Sequence, residues 1–141
     1  MKLRVKKLDK DAKLPSFGHP GDAGMDFYAL EDVRFLPGKQ ERVRTGIAME
    51  IPEGYVGLVW DKGGVSFNLG LKVMGGVIDA GFRGEIVMSL LNTGTKEILI
   101  TKGQKFTQML IQKFEHCDIV EVQDLSHTVR GHGREGSTGH R

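Results

Sequence analysis

The stretch GGVIDAGFRGEI, residues 75–86, combines two glycines, a short apolar run and an Asp-Ala-Gly turn signal before strand-like sequence resumes. This order predicts a β-hairpin, because glycine and aspartate favour tight turns between strands. Asp79 ends the apolar run. It is either a turn-forming residue or a base held on a rigid hairpin beside the bare backbone of Gly75 and Gly76. The local sequence alone favours the turn-forming role.

The rest of the chain repeats this pattern of short strand-like runs between turn residues. The 141 residues include 20 glycines in no fixed period, which indicates many tight turns. Short runs rich in β-branched residues predict an all-β sandwich or barrel. They include LKVMGGVID, EIVMSLLN, FTQMLIQKF and DIVEV. DKGGVSFNLG predicts one short helix after a glycine turn, and IPEGY and ITKGQK predict tight turns.

Composition and charge narrow the classes of function. A length of 141 residues predicts one domain. The net charge of +2 is too small to indicate a nucleic-acid or membrane partner, and no apolar window is long enough to span a bilayer. The single cysteine, Cys117, cannot form an internal disulfide, which favours a reducing cytoplasm. We also expect no secretory signal, because the basic start MKLRVKKLDK is not followed by an apolar stretch.

Three further segments contain residues suited to chemistry, and each also has a simpler interpretation. GHPGDAGMDFYA, residues 18–29, places Asp22 and Asp26 in a glycine-rich loop, where they either form turns or bind a hard cation such as Mg²⁺. WDKGGVS, residues 60–66, is either a hairpin turn or a phosphate cradle. RGHGREGSTGHR, residues 130–141, has no apolar side chain, so it is either a bland tail or an arm that folds over an anion.

Five segments resemble, in order, the five motifs of the homotrimeric dUTP pyrophosphatase family. The resemblance runs from about Leu14 to Gly139 and implies an all-β, distorted jelly-roll barrel over residues 1–129. A flexible, glycine-rich C-terminal arm over residues 130–141 would close over the active site. The matching segments are LPSFGHPGDAGMDFYA, YVGLVWDKGGVS, GGVIDAGFRGE, GQKFTQMLIQK and RGHGREGSTG.

The resemblance also implies a reaction. Asp79 would activate a water that attacks the α-phosphorus of dUTP and releases dUMP and pyrophosphate, which limits uracil in DNA and supplies dUMP. Backbone groups of Gly76, Val77 and Ile78 would bind the uracil edge. Phe82 would pack against the deoxyribose and exclude a 2′-hydroxyl.

The remaining implied residues serve the triphosphate and its Mg²⁺. The triphosphate would hold the ion, and Asp26 would reach it through water only. The active sites would be shared between the chains of a homotrimer. The substrate-binding residues implied in addition are Lys62, Gly63, Gly64, Gln108, Arg130, Glu135, Gly136 and Ser137.

Three positions depart from the family pattern. Asp61 replaces a proline: if it points inward it repels substrate, and if it pairs with Lys62 or faces solvent it is harmless. Gly63 replaces a phosphate-binding serine, and the lost hydrogen bond to a charged group is worth about 1.5–3 kcal/mol. Glu135 replaces a phenylalanine that stacks on uracil, which predicts weaker closure of the arm, while Arg134 adds a cation that partly compensates at the phosphates.

These departures leave alternatives to an ordinary dUTP diphosphatase. One is a catalytically weak, regulatory or nucleotide-binding protein, and another is a pyrophosphatase with relaxed base specificity, because a carboxylate can accept a hydrogen bond from an exocyclic amine. The related dCTP deaminases rank lower. Their catalytic glutamate is matched here by Ser89.

Overall fold

The computed structural model describes residues 1–139, which form twelve short β-strands and one helical turn. The helical turn is a π-helix, Gly64–Asn68. The strands are β1 Arg4–Lys7, β2 Ser16–Phe17, β3 Met25–Tyr28, β4 Val33–Phe35, β5 Gln40–Arg44, β6 Ile47–Glu50, β7 Tyr55–Asp61, β8 Leu71–Met74, β9 Val77–Ile78, β10 Val87–Asn92, β11 Ile98–Ile100 and β12 Lys105–Lys113.

The strands form four antiparallel sheets. The largest has the order β2-β3-β12-β7-β9, and a second has the order β5-β10-β8. Two-stranded sheets pair β1 with β6 and β11 with β4. This nearly all-β architecture is consistent with a jelly roll and confirms the predicted fold class. Within residues 1–139, no helix is long and apolar enough to cross a membrane.

The core fills the space between these sheets. Its largest fully enclosed side chains include Phe27, Phe35 and Phe106, which are at most 1% exposed. Phe27 lies in β3 and Phe106 in β12, so two neighbouring strands of the largest sheet each place an aromatic ring in the core.

Most of the local elements predicted from the sequence are confirmed. The π-helix lies within the predicted helical segment, and Gly54 and Gly103 adopt positive φ angles of 85° and 82° in the two predicted turns. The strand predicted for DIVEV, residues 118–122, is wrong. Residues 114–125 have no strand, and Ile119 is 98% exposed. A strand needs a neighbouring edge for its hydrogen bonds, and this segment finds none among the described residues of its own chain.

The C-terminal arm folds into consecutive turns over its described part. The Gly133 N–H donates to the Arg130 carbonyl at 3.1 Å, and the Ser137 N–H donates to the Arg134 carbonyl at 3.0 Å. His140 and Arg141, the last two residues of the predicted arm, lie outside the described residues. The division into a barrel and an arm at residue 129 stays a prediction.

The β-hairpin predicted for residues 75–86 is wrong, because β9 pairs with β7 whereas β10 pairs with β5 and β8. Residues 71–82, which we call the splayed hairpin, also have no ladder between β8 and β9. The first strand of the splayed hairpin, β8, pairs with β10, whereas its second strand, β9, pairs with β7 in the other sheet. Gly76 makes this geometry possible with a φ of 118° and a carbonyl that accepts the Val59 N–H at 2.8 Å. A Cβ at Gly76 would lie 2.9 Å from the carbonyl oxygen of Val59, so a side chain there would push β9 away from β7.

We predict that Gly76→Ala destabilises the protein more than Gly75→Ala. Both glycines have positive φ, but a Cβ at Gly75 would meet no atom within 4 Å. Gly75→Ala should therefore cost about 1–2 kcal/mol of unfolding free energy from backbone strain. Gly76→Ala should cost about 1–3 kcal/mol more, because of the clash with Val59.

Urea unfolding of both variants measures this difference, and Gly75→Ala is the matched control. Equal unfolding free energies would show that β9 can move away from β7 without loss of stability and that the close contact of Gly76 with Val59 does not fix the position of β9.

Candidate active site

One row of residues crosses the largest sheet. In the pairing of β2, β3, β12 and β7, Ser16 lies opposite Asp26, Asp26 opposite Gln108, and Gln108 opposite Trp60. Directly opposed residues of an antiparallel pair project their side chains to the same face. The sheet therefore brings residues from the first, second and fourth predicted motifs to one surface.

A cleft of about 530 Å³ lies on this surface. Six of the residues that line the cleft have polar or charged side chains: His19, Asp22, Asp26, Lys62, Lys105 and Gln108. The predicted phosphate-binding Lys62 and Gln108 thus lie together with the predicted metal-associated Asp26. Gly63 and Gly64 follow Lys62 and are exposed to solvent.

Asp26 forms the electrostatic centre of the cleft. Its carboxylate is 5% exposed, and its two oxygens contact Lys62 Nζ at 2.8 Å and Lys105 Nζ at 3.1 Å. Burial by itself acts to raise the pKa of Asp26, but hydrogen bonds and charge from the two lysines outweigh it and lower that pKa below its usual range. Asp26 is therefore ionised and serves as counter-ion to both cations.

Gln108 is held by two neighbouring segments. Its Nε2 donates to the carbonyl oxygen of Asp61 at 2.8 Å. A Cβ at Gly24 would lie 2.2 Å from Gln108 Oε1, so only glycine at this position leaves space for the amide. The glycine of the first motif thus positions the glutamine of the fourth.

Asp61 does not face the cleft. Its carboxylate accepts the Val73 N–H at 2.7 Å and contacts Lys72 Nζ at 2.5 Å. The pairing partner is Lys72, not the Lys62 considered from the sequence. Asp61 therefore does not point at the place predicted for the phosphates.

The turn after β9 is formed without the carboxylate of Asp79. The Asp79 carbonyl accepts the Phe82 N–H at 3.1 Å, and Arg83 donates to the carbonyls of Ala80 at 2.7 Å and Phe82 at 3.1 Å. Asp79 is exposed. Phe82 is 44% exposed, and its ring lies so close to Gly84 that a Cβ there would be 2.7 Å from it. The backbone and Arg83 thus hold the turn and leave the Asp79 carboxylate available.

A smaller cleft of about 190 Å³ lies at the splayed hairpin. Trp60, Lys72, Gly75, Gly76 and Val77 contribute to its walls. Because β8 and β9 pair with other strands, the backbone edges that face each other across the hairpin are not joined in a ladder. The predicted uracil-binding residues Gly76, Val77 and Ile78 lie along one of these edges.

Within one chain, the hairpin and the larger cleft lie far apart. Ile78 is opposite Gly57, which places Asp79 level with Val56. Lys62 follows six residues later, and six extended residues span about 20 Å. This separation exceeds the length of a triphosphate group.

The predicted arm residues are not at either cleft. Arg130 Nε donates to the carbonyl of Gly133 at 3.0 Å. Glu135, Gly136 and Ser137 are exposed and line neither cavity. The structure therefore assembles Asp26, Lys62 and Gln108, and it places the hairpin and the arm elsewhere on the chain.

Sequence reasoning missed Lys105. It precedes Gln108 by three residues, a spacing that places two side chains on opposite faces of a regular strand. A bulge between Lys105 and Thr107 shifts the register of β12 against β3, so Lys105 and Gln108 reach the same cleft. The signal available in the sequence was only the cationic residue within the fourth motif.

Asp22 and Asp26 supply the carboxylates among the residues that line the cleft, too few to hold a metal ion without a further ligand. A Cβ at Gly18 would lie 3.3 Å from Asp22 Oδ2 and 3.8 Å from Asp26 Oδ2, so both carboxylates border the same space. No group of three or more His, Cys, Asp or Glu residues suited to a metal ion occurs in the described part of the chain. Mg²⁺ is commonly bound by one or two carboxylates together with substrate phosphates.

Comparisons with known proteins match almost the whole chain. The dUTPase family model matches residues 10–139. The deoxyuridine 5′-triphosphate nucleotidohydrolase of Thermobifida fusca is 42% identical over 142 residues, which cover 99% of this chain and 79% of that protein. The protein of the same name from Mycobacterium leprae is 42% identical over 145 residues, covering 97% of this chain and 94% of that protein.

Solved structures agree with the family match. A Staphylococcus bacteriophage 80alpha dUTPase mutant with dUpNHpp has a TM-score of 0.90 at 30% identity and covers 98% of both chains. A mutant dUTPase from phage phi11 of S. aureus, described as revealing the coordination of a structural Mg(II) ion, has a TM-score of 0.82 at 27% identity. It covers 88% of this chain and 98% of that chain.

We predict that Lys105→Met raises the pKa of Asp26 relative to the unmodified protein. Removal of one cation leaves the effect of burial less opposed. Because the folded pKa of Asp26 is lowered, its ionisation stabilises the fold above the unfolded pKa of about 3.9, and this stabilisation is lost as the pH falls through the folded value. Lys105→Met should therefore lose that stability at a higher pH.

Carboxyl ¹³C NMR titration and urea unfolding between pH 2 and 6 check this prediction. Lys102→Met is the matched control, since Lys102 pairs with Asp11 and not with Asp26. An Asp26 pKa that moves equally in the two variants would contradict a specific Lys105 contact.

Proposed function

This chain belongs to the dUTPase family and is a dUTP diphosphatase, and we propose that Asp79 is the base that activates the attacking water. The observation that carries this proposal is the free carboxylate on a turn held by other groups. The backbone and Arg83 hold the turn, so the carboxylate is not needed for the fold. An exposed carboxylate on a fixed hairpin can accept a proton from a positioned water.

The splayed hairpin supports a role in base recognition. Backbone groups of the hairpin that are not used in the contacts with β7 can exchange hydrogen bonds with the edge of a uracil ring, as a neighbouring strand would. We assign this contact to Gly76, Val77 and Ile78. Phe82 follows on the same turn, where its ring would pack against the deoxyribose and leave no room for a 2′-hydroxyl.

The larger cleft supports binding of the triphosphate. Lys62 supplies a cation, the exposed Gly63 and Gly64 supply backbone N–H donors, and Gln108 supplies an amide already held in place. Mg²⁺ bound to the triphosphate would neutralise charge on the phosphate oxygens. Asp26 would reach that ion through water. Once phosphate oxygens compete for Lys62, Asp26 can turn toward the water shell of the ion.

Assembly of several chains accounts for the distance between hairpin and cleft. We propose a homotrimer in which the hairpin of one chain faces the cleft of another, since the two lie about 20 Å apart in a single chain. The exposed Ile119, Val120 and Leu125 support contact between copies. Residues 115–124 carry four acids and no lysine or arginine, whereas residues 2–7 carry four cations and no acid, so the two segments are complementary in charge.

The arm completes the proposal. Arg130, Gly136 and Ser137 would close over the phosphates of a bound nucleotide, and Glu135 would lie near the base. Without an aromatic ring at Glu135, closure would depend on the phosphates more than on the base. Relaxed base specificity remains the alternative that Glu135 favours, and comparing dCTP with dUTP as substrates tests it.

A cytoplasmic setting, proposed from the single cysteine, fits the exposed free thiol of Cys117.

We predict that Asp79→Asn lowers dUTP turnover by at least about 10²-fold, because an amide keeps the shape of the side chain but cannot take a proton. Binding of dUpNHpp should remain close to that of the unmodified protein. Pyrophosphate release with Mg²⁺ and calorimetric titration measure the two quantities. Glu53→Gln, at an exposed acid in the β6–β7 turn, is the control. Turnover of Asp79→Asn at the unmodified rate would make Asp79 a turn-forming residue only.

We predict that Lys62→Met is inactive, because it removes the cation proposed to bind the phosphates, and that it regains activity when it is unfolded and refolded together with Asp79→Asn. If the hairpin and the cleft of a site come from different chains, random mixing of equal amounts gives about a quarter of all sites an intact Asp79 and an intact Lys62. Either variant refolded alone should stay inactive. Activity of the mixture no higher than that of the separate variants would place both residues of a site on one chain.

A further inference from the structure

The carboxylate of Asp61 connects the two main sheets. Asp61 is the last residue of β7, and its oxygens bind the N–H of Val73 and the ammonium of Lys72, both in β8. β7 and β8 belong to different sheets, so no ladder joins them. The Asp61 side chain thus supplies two hydrogen bonds between β7 and β8, which are not joined by a backbone ladder.

The same residue also touches the phosphate side. Its carbonyl oxygen accepts the Gln108 amide at 2.8 Å, and the next residue is Lys62. Asp61 therefore stands between the strand that leads into the hairpin and the two residues proposed to bind phosphate. A displacement of Asp61 would move Lys62 and Gln108 together.

Charge adds a second consequence. An unpaired carboxylate directly before Lys62 would repel a triphosphate bound at Lys62, because like charges repel each other in the partly desolvated surroundings of a cleft. The Lys72 ammonium at 2.5 Å neutralises it. Asp61 is 21% exposed at its side chain and Lys72 is 56% exposed, so the pair borders solvent and its charges are only partly screened.

We propose that Asp61 and Lys72 form a charge-neutral clamp that positions the phosphate-binding loop and keeps an acid beside it from repelling the substrate. Asp61 acts as a positioning residue through Lys62 and Gln108. Lys72 acts by cancelling the charge of Asp61. This inference rests on the proposed function, because it names the phosphate loop as the element positioned.

The clamp predicts an unusual pattern of single and double variants. Lys72→Met leaves the Asp61 charge unpaired and should raise the KM for dUTP about five- to tenfold with little change in kcat. Asp61→Asn keeps an acceptor for the Val73 N–H and removes the charge, so its KM should rise less. The double variant Asp61→Asn with Lys72→Met should have the KM of Asp61→Asn alone, which is a rescue and not an additive loss.

Ionic strength and the Asp61→Ala variant distinguish the charge effect of Asp61 from its positioning effect. Raising the ionic strength should narrow the KM difference between Lys72→Met and the unmodified protein, because screening weakens the uncompensated charge. Asp61→Ala removes the bond to Val73 as well and should lower kcat in addition to raising KM. Arg34→Met is the matched control, since it breaks a comparable surface pair with Glu97 away from both clefts.

Binding of inorganic tripolyphosphate, measured by calorimetry and by emission of the single tryptophan, Trp60, tests the clamp without catalysis. Lys72→Met should weaken this binding, and the double variant should restore it to the level of Asp61→Asn. If tripolyphosphate binding follows this pattern across the variants but Asp79→Asn turns over dUTP at the unmodified rate, the proposed role of Asp79 fails and the clamp stands. Additive losses in the double variant, an unchanged KM in Lys72→Met, or no tripolyphosphate binding would overturn the clamp.

Discussion

The pairing of β12 with both β3 and β7 is the constraint on which the rest of the structure depends. This nine-residue strand forms the centre of the largest sheet, and its inner face carries the enclosed Phe106 and Met109. Its register places Gln108 between Asp26 and Trp60. The cleft therefore exists because one strand holds two others at a fixed offset, and core packing makes a slip of that offset costly.

Asp26 connects this packing to chemistry. A carboxylate that is 5% exposed would be costly to ionise alone, and two lysines compensate it. The same lysines are cations that an anionic ligand can use. Asp26 thus balances the positive charge of the cleft, and phosphate oxygens would compete with Asp26 for Lys62.

Much of the fold and part of the site could be predicted from the sequence. The turns at Gly54 and Gly103 and the short helix after Gly63 follow from local residue preferences, which act over a few residues. DIVEV shows the limit of such reasoning, because its alternating residues satisfy strand preferences while no neighbouring edge of the described chain pairs with it. Lys105 shows another limit, since a single bulge reverses the face to which its side chain points.

The sequence by itself determined the all-β class and the family, because strand periodicity, turn residues and the order of motifs can be identified in the sequence without knowing which residues are in contact. Only the tertiary structure decided which of those motifs meet. It joined Asp26, Lys62 and Gln108 at one cleft, turned Asp61 toward Lys72, and left Asp79 about 20 Å along the sheet from Lys62. Such distances depend on strand register and sheet order, which arise from contacts between residues far apart in the chain.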